Sequence, residues 1–104
     1  MKSVLSSVAS LLLAVVCSWY GAEFAGRRTA SGEPYDASAL TCASNRFRLG
    51  TRLRVTAGGR SVVVRVNDRT AEKYADRIDL TPAAFTKLAD LKTGLVEATV
   101  KVLP

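Results

Sequence analysis

Residues 61–80 read SVVVRVNDRTAEKYADRIDL, and the fold turns on how this stretch is understood. It opens as a β-branched run with Val62, Val64 and Val66 on one face and Val63 and Arg65 on the other, the period-two pattern of a half-buried strand. The run breaks at Asn67-Asp68-Arg69, which puts a charged triplet at the end of a buried strand. A second short apolar run, Ile78-Asp79-Leu80, returns another carboxylate to the edge of the core eleven residues after Asp68. Asp68 and Asp79 are therefore expected on one rim with Arg69 and Arg77. Strand ends and the loops that leave them hold reactive groups open to solvent on a rigid scaffold, so chemistry is expected here.

Working outward, Thr51–Thr56 alternates with Leu53 and Val55 inward and Arg52 and Arg54 outward. Ala57-Gly58-Gly59-Arg60 then reads as a tight hairpin into the Val62 strand. After Leu80, Thr81 is a good N-cap and Pro82 a good first helical residue. Ala83, Ala84, Phe85, Leu88 and Ala89 supply the apolar stripe of a helix of about two turns. Leu95–Leu103 alternates as a closing strand, and Val15–Tyr20 suits a first strand ended by Gly21. Residues 22–38 form a loop-rich segment broken by Gly26, Gly32 and Pro34; Ala39–Ala43 is a further short strand. About six short strands and one helix point to a small closed barrel, because closure removes edges that so short a set cannot otherwise protect.

The chain has 104 residues, 48% of them apolar, which is room for one small core. Met1-Lys2 followed by an uncharged apolar run through Val16 reads as a secretory signal over residues 1–14, with the domain over 15–104. Cleavage after Ser10 or after Ala14 is left open, and a buried N-terminal element without export is the other reading. The run is too short for a stable membrane span. In an exported protein Cys17 and Cys42 are expected to pair in a disulfide, contributing about 3 kcal/mol by loop closure. Lipid attachment at Cys17 is disfavoured because Val16 precedes it. With no His and two Cys, no metal or other cofactor is expected. A net charge of +6 draws the chain to anionic surfaces. Its arginines alternate with core residues instead of forming a run, as on solvated strand faces, so no nucleic-acid partner is expected; the chain is expected to be a monomer.

SWYGAEFAGRRTASGEPYDASALT at 18–41, LGTRLRVT at 49–56, SVVVRVNDR at 61–69 and RIDLT at 77–81 together resemble the RlpA-like (rare lipoprotein A) double-psi β-barrel domain. More distant kin are expansins, barwin-type domains and family-45 glycoside hydrolases. The resemblance implies a mainly β fold, a six-stranded double-psi barrel with one short helix, in a periplasmic or cell-wall setting. It also implies lytic transglycosylase action on peptidoglycan strands lacking stem peptides. By the same resemblance Glu33 and Asp68 are the catalytic acid candidates, and Asp79 matches a strand-end aspartate kept by glycan-active relatives. Two positions depart from the pattern: Ser44 stands where the family has histidine, and Thr70-Ala71 replaces the Gly-Pro that follows NDR.

Glycosidic cleavage needs a proton delivered to the leaving oxygen, usually from a carboxylic acid. A transglycosylase of this type then uses an internal sugar hydroxyl in place of water, so one acid/base group suffices. The competing reading of Asp68 is a strand-end carboxylate paired with Arg69 or Arg77, which would lower its pKa. Asp79 is also placed to favour the helix N-terminus. Tyr20, Tyr35, Ser44, Arg69 and Asp79 are the expected substrate contacts, with Trp19 half buried. An expansin-like or barwin-like wall binder without catalysis is the alternative function.

Overall fold

The computed structural model describes residues 12–104. Its six strands are β1 (Leu13–Trp19), β2 (Thr41–Ser44), β3 (Arg52–Ala57), β4 (Arg60–Asp68), β5 (Arg77–Leu80) and β6 (Val96–Val102). One helix, α1 (Pro82–Thr86), follows β5. The strands close into a barrel in the order β1-β5-β2-β4-β3-β6. The β1/β5 and β2/β4 pairs are parallel and the other four antiparallel. This is the six-stranded double-psi barrel that the resemblance implies.

β4 is the longest strand and sets the geometry. Its inward Val62, Val64 and Val66 are buried with Leu53 and Val55 of β3, Ile78 and Leu80 of β5 and Val100 of β6. The β3–β4 hairpin turns on Gly58 and Gly59, both at positive φ, as the register from Arg52↔Arg65 to Ala57↔Arg60 requires. Thr81 caps α1: its Oγ1 accepts the Ala84 N–H and donates to the Ala39 carbonyl at 2.6 Å. The helix thereby inserts Phe85, fully buried, into the same core.

Three expectations change. Strand β4 runs on through Asp68, past the predicted break, because a β-bulge absorbs the residue between. Cys42 pairs with Val66 and Ala43 with Asp68, leaving Asn67 as the extra residue. Asp79 does not serve the helix, whose cap is Thr81; it accepts the Ser18 hydroxyl instead.

The third change concerns Cys17 and Cys42, which are free, fully buried thiols with no bridge between them. They lie on β1 and β2, the two strands that flank β5, paired with Ile78 and Leu80 respectively. β5 lies between them, at strand spacings of about 4.8 Å on either side, and their partners Ile78 and Leu80 are two residues apart along it. A disulfide reaches roughly 7 Å between Cα atoms. Residues 1–11 of the expected leader lie outside the described residues, while Leu13 and Ala14 belong to β1.

Burial, and next the charge of Asp79, pushes the Cys17 thiol up to about 12, so neither reagent access nor ionisation favours reaction in the folded state. Thiol titration without reductant is expected to find both cysteines unreactive in the native protein and both reactive in denaturant; no thiol in denaturant would restore the bridge.

Candidate functional site

The loop at residues 29–33 is folded on itself before it meets the barrel. Its ends are joined where Thr29 donates both N–H and Oγ1–H to the Glu33 carbonyl, each at 2.8 Å. Gly32 supplies the positive φ, 94°, that the turn requires. This loop docks on the bulged end of β4. Ser31 N–H donates to the Asn67 carbonyl at 3.0 Å and Ala30 N–H to Asp68 Oδ1 at 2.9 Å. Glu33 and Asp68, 35 positions apart in the sequence, are thus brought to one end of one strand.

The Glu33 carboxylate is held by four donors. Arg65 grips it in a fork, Nη1 to Oε1 and Nη2 to Oε2, each at 2.9 Å. Asn67 Nδ2 donates to Oε1 at 3.2 Å and Ser31 Oγ at 3.1 Å. The Arg65 bonds, then those from Asn67 and Ser31, lower its pKa from 4.5 to about 2 against a smaller opposing effect of desolvation. Glu33 is a fixed anion.

Asp68 is held differently. Its Oδ1 accepts the backbone N–H of Ala30 and of Arg69, and among the described residues Oδ2 has no hydrogen-bond partner. The expected pairing with Arg69 is not made. The Arg69 guanidinium turns away and donates to the carbonyls of Ser44 at 2.6 Å and Phe47 at 2.8 Å, clamping the β2–β3 connection.

The sheet register places the remaining candidates. Ser18 pairs with Asp79, Asp79 with Ala43 and Ala43 with Asp68, so these four form one lateral row on the outer barrel face. Asp79 and Asp68 flank Ala43 at two strand spacings, about 9.5 Å between Cα atoms. Tyr20, just past β1, has a buried hydroxyl that finds no partner among the described residues. Burial and then the charge of Asp68 push that hydroxyl far up, with Tyr35, Cys42 and Asp79 adding to it. Tyr35 is brought to the site but not to its surface: it is 4% exposed, stacks on Tyr20 at 4.6 Å between ring centroids, and donates its hydroxyl to the Tyr20 carbonyl. Ser44 is fully buried, its hydroxyl accepting the Arg46 N–H. Trp19 is half buried and donates Nε1–H to the Leu91 carbonyl.

Arg65 and Asn67 were not singled out from the sequence as site residues. Arg65 was legible as the cation on the outer face of β4, but its partner lies on a loop without periodicity. Asn67 looked like a strand terminator because a bulge leaves no signature in side-chain alternation. Arg77, expected on the same rim, lies instead over the Tyr74 ring at 4.4 Å, on a broad open groove bordered also by Val16, Leu95 and Glu97 that includes none of the other candidate residues. Among the described residues no cluster of three or more His, Cys, Asp or Glu side chains can hold a metal.

A family model described as lytic transglycolase matches residues 13–100. Endolytic peptidoglycan transglycosylase RlpA of Pseudomonas aeruginosa is 46% identical over 87 residues, covering 81% of this chain and 25% of that protein. The probable endolytic peptidoglycan transglycosylase RlpA of Synechocystis is 43% identical over 82 residues, 77% of this chain and 26% of that one. The chain thus spans about a quarter of the length of these relatives. Among solved structures, the Streptomyces papain inhibitor superposes with a TM-score of 0.76 at 29% identity, covering 92% of this chain and 97% of that one. An expansin of Clavibacter michiganensis, solved in complex with cellohexaose, gives 0.72 at 18% identity, over 90% of this chain and 51% of that one, and shares the fold.

Because Glu33 titrates below its ordinary value in the folded protein, its contribution to stability is present above about pH 4.5 and is lost as pH falls toward 2. Replacing Arg65 by Gln is expected to return the Glu33 carboxyl toward 4.5 in a carboxyl-carbon NMR titration and to flatten this acid loss. An unchanged Glu33 titration would show that Arg65 does not set its charge.

Proposed function

Since this chain belongs to the lytic transglycolase family of double-psi β-barrel domains, we propose that it cleaves peptidoglycan glycan strands, with Asp68 as proton carrier and Glu33 as a permanent carboxylate. The observation that supports this division is the contrast between the two acids. Glu33 is saturated by Arg65, Asn67 and Ser31, whereas Asp68 keeps an oxygen without a partner.

In this scheme protonated Asp68 donates to the glycosidic oxygen as the C1–O bond breaks. The positive charge that develops at C1 and the ring oxygen is stabilised by the Glu33 carboxylate. The C6 hydroxyl of the same muramic acid then attacks C1 and returns its proton to Asp68. The product carries a 1,6-anhydro bond, water is not consumed, and Asp68 is ready for a further turnover. No imidazole takes part, in keeping with Ser44 at the family's histidine position. Asp79, fixed by Ser18 across the row, and Tyr20 border the space where the sugar sits. Tyr35, Ser44 and Arg69 shape that space from beneath: Tyr35 backs Tyr20, and Arg69 holds the backbone of Ser44 and Phe47. Export by a leader that ends before β1, and action on cell wall as a monomer, fit this activity. No described helix is long and apolar enough to cross a membrane. The non-catalytic wall-binder alternative is the weaker reading, because the relatives at 43–46% identity carry transglycosylase names.

Mass spectrometry of fragments released from peptide-stripped sacculi is expected to show anhydro-ended sugars with the parent protein. Asp68→Asn should abolish them, and Glu33→Gln should slow their release by about 100-fold or more. Reducing-end products would mean that water is the nucleophile. No release by folded protein would refute the enzyme reading.

A further inference from the structure

The register on the outer face of β4, β3 and β6 sets like charges opposite one another. Arg52 of β3 lies directly across from Arg65 of β4, and Arg54 directly across from Lys101 of β6. Arg52 and Arg54 are exposed and Lys101 partly so. Among the described residues only Arg65 has an ion pair, with Glu33; Arg52, Arg54 and Lys101 have none. The next row on this face is Ser61, Thr56 and Thr99, which adds hydroxyls; the acid of β6, Glu97, lies beyond that row, where β6 pairs with Val16 of β1. Like charges directly opposite in an antiparallel pair are destabilising. Glu33 offsets the charge of Arg65, so the uncompensated repulsion is that of Arg54 against Lys101, with Arg52 unpaired beside them, and an anionic partner would relieve it. The strip also has a defined starting point. Arg65 is the residue that grips Glu33, so the cations lead away from the candidate site across neighbouring strands about 4.8 Å apart.

We propose that this strip of cations is a docking surface for the glycan strand being cleaved, and that Arg52, Arg54 and Lys101 bind the lactyl carboxylates of muramic acids that carry no peptide. The inference rests on the glycan-cleaving reading and adds to it the part of the strand outside the bond that breaks. Two arguments select this occupant. The strip is continuous with the site through Arg65, so a strand seated over Glu33 and Asp68 passes onto it. Each peptide-free muramic acid offers a planar carboxylate suited to the guanidinium fork, whereas an amide-linked stem peptide removes that charge from the sugar. The interaction is charge-driven on an exposed surface, so it weakens as salt rises.

The test uses the Asp68→Asn protein, so that cleavage does not consume the ligand, and adds Arg52→Gln, Arg54→Gln and Lys101→Gln together. Calorimetry at low and high ionic strength compares three ligands: soluble peptide-free glycan strands, chito-oligosaccharides of equal length, which keep the sugar backbone but lack the lactyl carboxylate, and a phosphodiester wall polymer. The expected result is salt-dependent binding of the glycan strand that falls about 10-fold or more in the triple substitution, with weaker, salt-insensitive binding of chito-oligosaccharide left unchanged. The substituted protein should also melt no lower than its parent, since like-charge repulsion has been removed. Equal glycan affinity with and without the three cations would overturn the proposal. So would equal parental affinity for the neutral and anionic sugars, or tighter binding of the phosphodiester polymer than of the glycan. The two readings fail separately. If the cations bind the glycan but protein with Asp68 intact releases no anhydro sugar, only the cleavage mechanism falls. If it releases anhydro sugar and the substitutions change no affinity, only the docking surface falls.

Discussion

The fork between Arg65 and Glu33 joins two parts of the chain that share no periodicity and no strand pairing. Arg65 is fixed by β4, which is paired on both sides and cannot shift without opening the barrel. Glu33 belongs to a glycine-bounded loop whose position follows from the partners that it finds. Both side chains are about two-fifths exposed, so solvent screens the pair and it adds little to global stability. Its effect is positional. With the Ser31 and Ala30 backbone bonds to Asn67 and Asp68, it selects one loop conformation, which brings two carboxylates to the same end of β4.

The bulge at Asn67 is the second element of that arrangement. A regular strand would point Asp68 toward the core if Val66 and Val64 also faced inward in strict alternation. The extra residue resets the alternation, so Val66 stays in the core while Asp68 joins Ala43, Asp79 and Ser18 on the outer row. Asn67, displaced from the ladder, is then free to turn its amide to Glu33. One irregularity therefore aims two site side chains.

The barrel was legible in the sequence because its strands are short, β-branched and separated by glycine-rich turns, and because alternation in β3, β4 and β5 identifies the buried faces without knowledge of partners. The carboxylates at Glu33 and Asp68 were legible through the ordered motifs around them. What pairing decides was not. Cys17 and Cys42 suggested a bridge by count, but β5, inserted between their strands, holds them apart. Asp79 looked like a helix-favouring acid by proximity to Pro82, yet the cross-strand hydroxyl of Ser18 and the cap at Thr81 leave it no such task. Ser44 looked available as the residue in a known catalytic position, and its burial follows from its place in a strand whose four residues are all covered. Each of these depends on which strand lies beside which, information that no single segment carries.

The pairing order also bears on how the chain acquires its structure. β1 is made first, but its neighbours are β5 and β6, the last two strands to be synthesised. The hairpin of β3 and β4 can form locally, whereas β1 has no partner until nearly the whole domain is available. Closure is thus a late, non-local event with a large loop-closure cost, which places the domain among the slower folders for its size. While the domain is being synthesised β1 stays an unpaired apolar strand for most of that time, and during that interval it depends on whatever keeps exposed strands from associating.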